Sequence, residues 1–259
     1  MSNSTQSERD PTRRFSSRVE NYVRFRPGYP KEILALLKSQ CGMTAGSVIA
    51  DIGSGTGKLT ELFLENGNPV FGVEPNREMR EAGERLLKNF ATFTSVAAAA
   101  EETTLPNASV DFIVAGQAFH WFDRMRCRKE FARILKPGGW VVLIWNDRKT
   151  EATPFLHEYE KLLQNYATDY SKVDHKNIDD MVVHEFFGYA PRKAKIPSAQ
   201  HFDFEGLKGR LLSSSYAPDE GQPGHAEMLR DLETIFNARQ QDGRVEFAYD
   251  TVAYYGKLS

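Results

Sequence analysis

The chain has 259 residues, 41% of them apolar and 26% charged, with a formal net charge of −2. This is enough apolar material for a full core and excludes a disordered composition; one domain is the simplest count. The near-neutral balance gives no long-range pull toward nucleic acid or an anionic membrane, so neither is expected as a partner, and a monomer or homodimer is expected.

Cys41 and Cys127 are far apart in sequence and indicate neither a disulfide framework nor a zinc motif. Met1 to Asp10 is polar and lacks an apolar signal core, and the longest strongly apolar run, Trp140 to Trp145, is too short to span a bilayer. A cytoplasmic protein is expected.

Residues 1–14 are rich in polar side chains and read as a mobile tail, with 15–259 as the single domain. Tyr22, Arg26 and Tyr29 cluster around Pro27-Gly28-Tyr29-Pro30, and Pro30 opens a helix through Ile33, Leu34, Leu36 and Leu37. Ser47 to Ile52 reads as a buried strand and Lys58 to Asn66 as a helix, stopped by Gly67-Asn68-Pro69. Then come a strand at Val70 to Val73, a helix at Asn76 to Phe90 and strands at Thr92 to Ala97 and Val110 to Ala115. A helix from Asp123 to Leu135 is closed by Lys136-Pro137-Gly138-Gly139, and Trp140 to Trp145 is the fifth strand. Short apolar strands alternating with amphipathic helices predict an α/β fold, a doubly wound parallel sheet covered on both faces.

The pattern loosens after Asn146. Residues 154–187 read as mostly helical, with aromatics at Phe155, Tyr159, Tyr166, Phe186 and Phe187, and 147–212 is expected to form a helical insertion capping an acceptor. Lys193 to Phe204 reads as a strand, Leu207 to Leu212 and His225 to Gln240 as helices, and the alternating Val245 to Tyr255 as a last strand.

The sharpest motif is Asp51-Ile52-Gly53-Ser54-Gly55-Thr56-Gly57, between a predicted strand and a predicted helix. Glycines there allow φ > 0 and close approach of a ligand, and the helix start offers unpaired N–H groups for a carboxylate or phosphate. Glu74 ends the next strand, roughly 20 residues on, where an acid accepts hydrogen bonds from ribose hydroxyls. Together they describe an adenosine-containing ligand. A dinucleotide fingerprint wants G-x-G-x-x-G, but Lys58 stands where its third glycine belongs.

With these residues the sequence resembles the class I S-adenosylmethionine-dependent methyltransferases, of the methyltransferase type 11 kind, over residues 15–146. Asp51 to Gly57 is similar to the family's first motif, and Glu74 to its ribose-binding acid. Leu105-Pro106 with Ser109-Val110-Asp111 and Leu135-Lys136-Pro137-Gly138-Gly139 are similar to the approaches to its fourth and fifth strands. The resemblance implies a Rossmann-like seven-stranded sheet with an antiparallel last strand, binding S-adenosylmethionine and releasing S-adenosylhomocysteine. It also implies that Pro75, Asn76 and Met79 flank ribose and adenine, that Ala100 and Glu101 sit by the adenine, and that Gly116 and Gln117 lie near the methionine part. Many relatives carry an acid where this chain has Ala99.

Relatives that methylate base amino groups carry an Asn/Asp-Pro-Pro-Tyr/Phe motif after the fourth strand. Here Gly116-Gln117-Ala118-Phe119-His120-Trp121-Phe122-Asp123 stands instead and points to a small acceptor. This run resembles a subset that includes trans-aconitate methyltransferase-like proteins, whose acceptors vary. His120 serves as general base for an acceptor of high pKa, or orients the helix start and packs beside the cofactor. Trp121 and Phe122 wall the pocket or belong to the core. Tyr22, Arg26 and Tyr29 fold over the cofactor, where Arg26 pairs with a carboxylate, or form a solvated face. No histidine spacing suggests a metal site. The competing readings are a nicotinamide-dependent oxidoreductase, a non-catalytic cofactor binder and a nucleic-acid methyltransferase.

Overall fold

The structure, a computed structural model, describes residues 19–167 and 179–259. The tail at 1–14 and the part of the expected 154–187 helical stretch at 168–178, with His175, lie outside the described residues.

The elements follow the alternation of apolar runs. Helix α1 (Val19–Phe25) and α2 (Glu32–Cys41) precede β1 (Ile49–Ile52), α3 (Lys58–Glu65), β2 (Val70–Val73), α4 (Arg77–Leu87), β3 (Phe93–Val96) and β4 (Val110–Gly116). A single 3₁₀ turn (Phe119–Trp121) leads to α5 (Arg124–Ile134), β5 (Leu135–Arg148), α6 (Pro154–Tyr166), α7 (Asp180–Phe187), β6 (Arg192–Phe202), α8 (Phe204–Leu212), α9 (His225–Arg239) and β7 (Val245–Gly256).

The strands form one sheet in the order β3-β2-β1-β4-β5-β7-β6. Strands β1 to β5 pair in parallel, and β7 runs antiparallel to both neighbours, so the expected seven-stranded architecture with a reversed last strand is the one observed.

Period-2 alternation sorts the strands onto two cores. Ile113, Ala115, Val141, Leu143 and Trp145 face one side, against Phe131 of α5 and Phe187 of α7. Phe112, Val114, Val142 and Ile144 face the other, against Leu37 of α2 and Phe63 of α3. Each buried Val, Leu, Ile or Phe among them contributes about 1.5–3 kcal/mol. A third core lies past the carboxyl end of β5: Tyr159 of α6, Leu207 and Leu211 of α8 and Leu232 of α9 surround Phe247 of β7.

Two expectations need correction. Strand β5 is longer than Trp140 to Trp145. It starts at Leu135, which pairs with Val110 ahead of a register shift, and continues to Arg148 because β7 pairs with it that far. Nor is 147–212 one helical insertion. Within it, β6 is the edge strand of the sheet, and Val183, Phe186 and Phe187 of α7 belong to the first core, with Phe186 4.8 Å from Phe119 ring to ring. Among the described residues of that segment, α6 and α8, joined by α9, build the helical layer at the carboxyl edge. Among the described residues no helix is long and apolar enough to cross a membrane.

Candidate functional site

The glycine loop leaves β1 with φ near +70° at Gly53 and +86° at Gly57. A Cβ at Gly53 would stand 2.6 Å from the Ala118 methyl, and one at Gly57 2.6 Å from Leu87 Cδ1. Only glycine fits either place. The turn delivers the Gly55 N–H to Glu74 Oε2 at 2.9 Å, while Glu74 Oε1 accepts from Asn76 N at 2.8 Å. Glu74 is 8% exposed; burial raises its pKa and the two backbone donors pull the other way. Each oxygen keeps a lone pair for a further donor.

Around this carboxylate opens a cavity of about 210 Å³. Gly53, Gly55, Glu74, Pro75, Asn76 and Met79 line it, together with Tyr22, Ala99, Ala100, Glu101, Gly116, Gln117, Ala118, Trp121 and Phe122. Asn76 caps α4 by accepting from Met79 N at 2.9 Å, which fixes both residues at the cavity wall. Glu101 is partly committed elsewhere: its Oε1 accepts from Asp123 N at 2.8 Å, at the start of α5. Of the predicted cofactor residues, Gly57 does not line this cavity; it is the left-handed cap of α3, and its part is to shape the loop.

A second cavity, of about 160 Å³, abuts the first and shares Tyr22, Gly53, Gly55, Gly116, Gln117 and Trp121 with it. Its remaining predicted residues are Arg26, Tyr29, Asp51 and His120. Phe122 lines the first cavity, facing Gly53, and packs edge-on against Phe119 and Phe131. Gln117 sits at the end of β4 in a left-handed conformation (φ 56°), held by its N–H to Ile144 O at 2.9 Å. A non-glycine residue there costs on the order of 1 kcal/mol, a strain found at ligand sites. The rings of His120 and Trp121 lie 4.8 Å apart.

The segment from α1 to Pro30 straps both cavities. Val19, Tyr22 and Val23 pack on Met79 and Ala82 of α4, and Lys58 Nζ donates to Val23 O at 2.9 Å. At the other end Arg26 Nη2 donates to Ser213 O at 3.0 Å, and Asn146 Nδ2 to Gly28 O at 3.0 Å.

Asp51 is 1% exposed. Its Oδ2 accepts from Thr60 Oγ1 at 2.6 Å, and its buried Oδ1 has no protein partner. Burial pushes the carboxyl up to about 7, against the Thr60 hydrogen bond. The second cavity also carries arginines. Sequence reasoning passed over Asn146, Arg148, Arg210, Tyr216 and Tyr249, all of which line it. Arg148 is paired with Glu160. Burial pushes the Tyr216 phenol up, yet Arg148, Arg26 and Arg210 outweigh it and leave the phenol below its ordinary value. The signal for Arg210 was present: it sits on the helix face that also carries Leu207 and Leu211, where an arginine is out of place unless it serves a site. Among the described residues no group of three or more His, Cys, Asp or Glu side chains gathers as a metal site.

Residues 50–143 match a family described as a methyltransferase domain. An uncharacterised methyltransferase of Schizosaccharomyces pombe is 30% identical over 251 residues, spanning 93% of this chain and 96% of its own. One from Mycobacterium bovis is 39% identical over 144 residues, 56% of each chain. Among solved structures, a candidate type II methyltransferase from Anaeromyxobacter dehalogenans matches with a TM-score of 0.64 at 20% identity, over 90% of this chain and 98% of its own. A Haemonchus contortus phosphoethanolamine N-methyltransferase, solved with phosphomonomethylethanolamine and S-adenosylhomocysteine, matches at 0.52 and 17% identity, over 99% of this chain and 61% of its own. At such identities the structural likeness speaks for the fold alone.

Proposed function

We propose that this chain, which belongs to the class I S-adenosylmethionine-dependent methyltransferases, transfers a methyl group in line onto a small-molecule acceptor seated in the second cavity. The observation that carries this reading is the abutment of the two cavities across Gly53, Gly116, Gln117 and Trp121. A displacement at carbon needs nucleophile and leaving group on opposite sides of the methyl, and two adjoining pockets provide that layout.

The residues fit the cofactor. Glu74 offers lone pairs to ribose hydroxyls, Met79, Ala100 and Phe122 offer apolar surface to adenine, and the unpartnered Oδ1 of Asp51 offers an acceptor to the ammonium of the methionine part. Bound there, S-adenosylmethionine supplies an electrophilic methyl on a positively charged sulfur.

The protein's share is position and dryness. Gln117, pinned at the end of β4, and Tyr22 and Trp121, which line both cavities, keep the acceptor in place and exclude water. Such positioning contributes on the order of 7–11 kcal/mol in favourable cases. His120, on the acceptor wall, takes a proton where the acceptor has one to lose. A cytoplasmic setting, with neither nucleic acid nor membrane as partner, belongs to the same reading and rests on the net charge of −2 and the free Cys41 and Cys127.

Calorimetry with S-adenosylmethionine, S-adenosylhomocysteine and NADH tests the core of this. Micromolar binding of the first two, weakened at least tenfold by Glu74→Ala, is expected. Preference for NADH, or no binding of either adenosyl ligand, overturns it.

A further inference from the structure

We infer that Tyr216 is a proton acceptor for the methyl transfer, and that the methyl goes to a phenol or a hydroxyl of like acidity. The inference rests on the methyltransferase reading and deepens it, adding a catalytic residue and a substrate class to the same site.

Tyr216 lines the second cavity together with Arg26, Arg148 and Arg210. It stands on the turn that follows α8, and two of these arginines hold that turn. Arg26 Nη2 donates to Ser213 O at 3.0 Å, and Arg210 Nη1 to Ser214 Oγ at 3.3 Å. The turn also closes on itself, with Ser214 N donating to Leu211 O at 3.0 Å and Ala217 N to Ser214 O at 3.2 Å. The phenol is therefore carried by a turn gripped by guanidinium groups from α1 and α8, and Arg148 of β5 lines the cavity as a third.

Aromatic faces shelter these cations. Arg26 lies over the Tyr22 ring at 5.3 Å, Arg210 over Phe247 at 5.7 Å and Arg148 over Tyr159 at 5.1 Å. Each such contact is worth about 0.5–2 kcal/mol, less than the several kcal/mol that burying an ion costs. Arg148 is matched further by Glu160. Among the described residues Arg26 and Arg210 pair with no carboxylate, and Arg210 is only 5% exposed. An ionised phenol on the turn they hold is an anion already in place. The other titratable groups of the cavity serve elsewhere or stay neutral. Lys58 donates to Val23 O, Asp51 accepts from Thr60, and Tyr249 accepts from Arg210 Nε at 3.4 Å. Burial pushes the Tyr216 phenol up, and Arg148, Arg26 and Arg210 bring it below its ordinary value.

A general base works best when its pKa lies near the working pH. A phenol lowered from about 10 moves toward that range and matches an acceptor hydroxyl that itself titrates near about 10. His120, on the same cavity, has an ordinary pKa of about 6.5 and suits more acidic acceptors. A carboxylate acceptor is ionised already and needs neither. The acceptor hydroxyl gives its proton to Tyr216 Oη, its oxygen bonds the methyl carbon, and the electron pair of the broken carbon–sulfur bond stays on sulfur. Tyr216 then returns the proton to water.

Two readouts test the assignment. In an ultraviolet titration of the free protein, one tyrosine is expected to ionise below the usual value of about 10. Tyr216→Phe should lose that step, and Arg26→Gln should move it upward. The second readout is transfer from labelled S-adenosylmethionine to phenol, catechol and benzoate. Phenol or catechol is expected to be methylated in preference to benzoate. Tyr216→Phe should lower kcat about a hundredfold with KM within threefold, and flatten the rise of rate with pH. Its melting temperature should stay within a few degrees, which reports that the variant is folded. If wild type and Tyr216→Phe titrate alike below that value, if benzoate is preferred or neither phenol is methylated, or if Tyr216→Phe transfers at the wild-type rate, the assignment falls alone. If wild type fails to bind S-adenosylhomocysteine, the methyltransferase reading fails and takes the assignment with it.

Discussion

The phenol of Tyr29 rests where a side chain at Gly116 would stand: a Cβ there would lie 2.8 Å from Tyr29 Cζ and closer still to the hydroxyl. Gly116 ends β4 and borders both cavities, so a glycine at this point lets the Pro27-Gly28-Tyr29-Pro30 turn close down on the sheet edge. Gly116→Ala is therefore expected to destabilise by about 1–3 kcal/mol through overpacking. A double-mutant cycle in urea checks the cause. In a Tyr29→Ala background the same substitution should cost at least about 1 kcal/mol less. Equal costs in both backgrounds would show that the two residues do not press on each other.

Asp51 predicts a pH dependence. Its folded carboxyl is raised to about 7, so it is largely protonated at pH 6 and largely ionised at pH 8. An ammonium partner needs the ionised form. S-adenosylhomocysteine affinity should thus rise up to about tenfold from pH 6 to 8 and then level off. Free-protein stability moves the opposite way. A raised acid contributes stability that is whole below its unfolded pKa near 4 and is lost as pH rises through about 7. Asp51→Asn should weaken binding and flatten its pH profile. A profile in Asp51→Asn as steep as in wild type would remove Asp51 from that role.

How much of this was legible from the residues follows from the range of the interactions. Asp51 to Gly57 and Glu74 announce themselves because a tight turn and a strand-end acid are local patterns, and the Gly55 N–H to Glu74 bond joins neighbouring strands. Gln117 and Trp121 could be placed because they follow a strand whose carboxyl end is the ligand edge. The arginines of the second cavity could not be assembled that way. Arg148 enters the cavity because β5 is extended by pairing Arg148 with Tyr249 of a distant strand, and Arg210 and Arg26 meet only through the α8–α1 contact. Gly57 and Glu101 show the converse limit. Each carries the right residue type at the right place in sequence, yet Gly57 serves to let Leu87 pack close, and one oxygen of Glu101 is spent on the Asp123 N–H.

Away from the site, Glu130 holds a loop by charge. Its Oε1 accepts from Thr103 N at 2.8 Å and from Thr103 Oγ1 at 2.5 Å, and its Oε2 from Arg133 Nε at 2.7 Å. These donors, Arg133 first, hold the carboxyl down at about 2. A depressed acid contributes stability present above its unfolded pKa near 4.3 and lost as pH falls toward 2. Glu130→Gln should lower stability by about 1–3 kcal/mol at pH 7. Thermal melts at pH 7 and pH 3 should then show a smaller acid-induced drop in the variant than in wild type, and parallel drops would contradict the assignment.

The last prediction concerns the strap. Phe25 lies against Gly209 of α8 so closely that a side chain there would overlap its ring, and its carbonyl accepts from Gln200 Nε2 at 3.3 Å. Tyr22, one turn earlier, lines both cavities, so the Phe25 contact sets how firmly Tyr22 covers the ligands. Phe25 is half-buried on the rim of the third core, and its loss should loosen α1 without emptying that core. Phe25→Ala is expected to speed S-adenosylhomocysteine release and weaken its binding threefold to tenfold, with a fall in melting temperature of only a few degrees. Limited trypsin digestion supplies the second readout, since Arg24 and Lys31 flank the contact. Cleavage there should be slow in liganded wild type and faster in Phe25→Ala. Unchanged release and unchanged cleavage would mean that α1 is held by its contacts with α4 and by Lys58 rather than by Phe25.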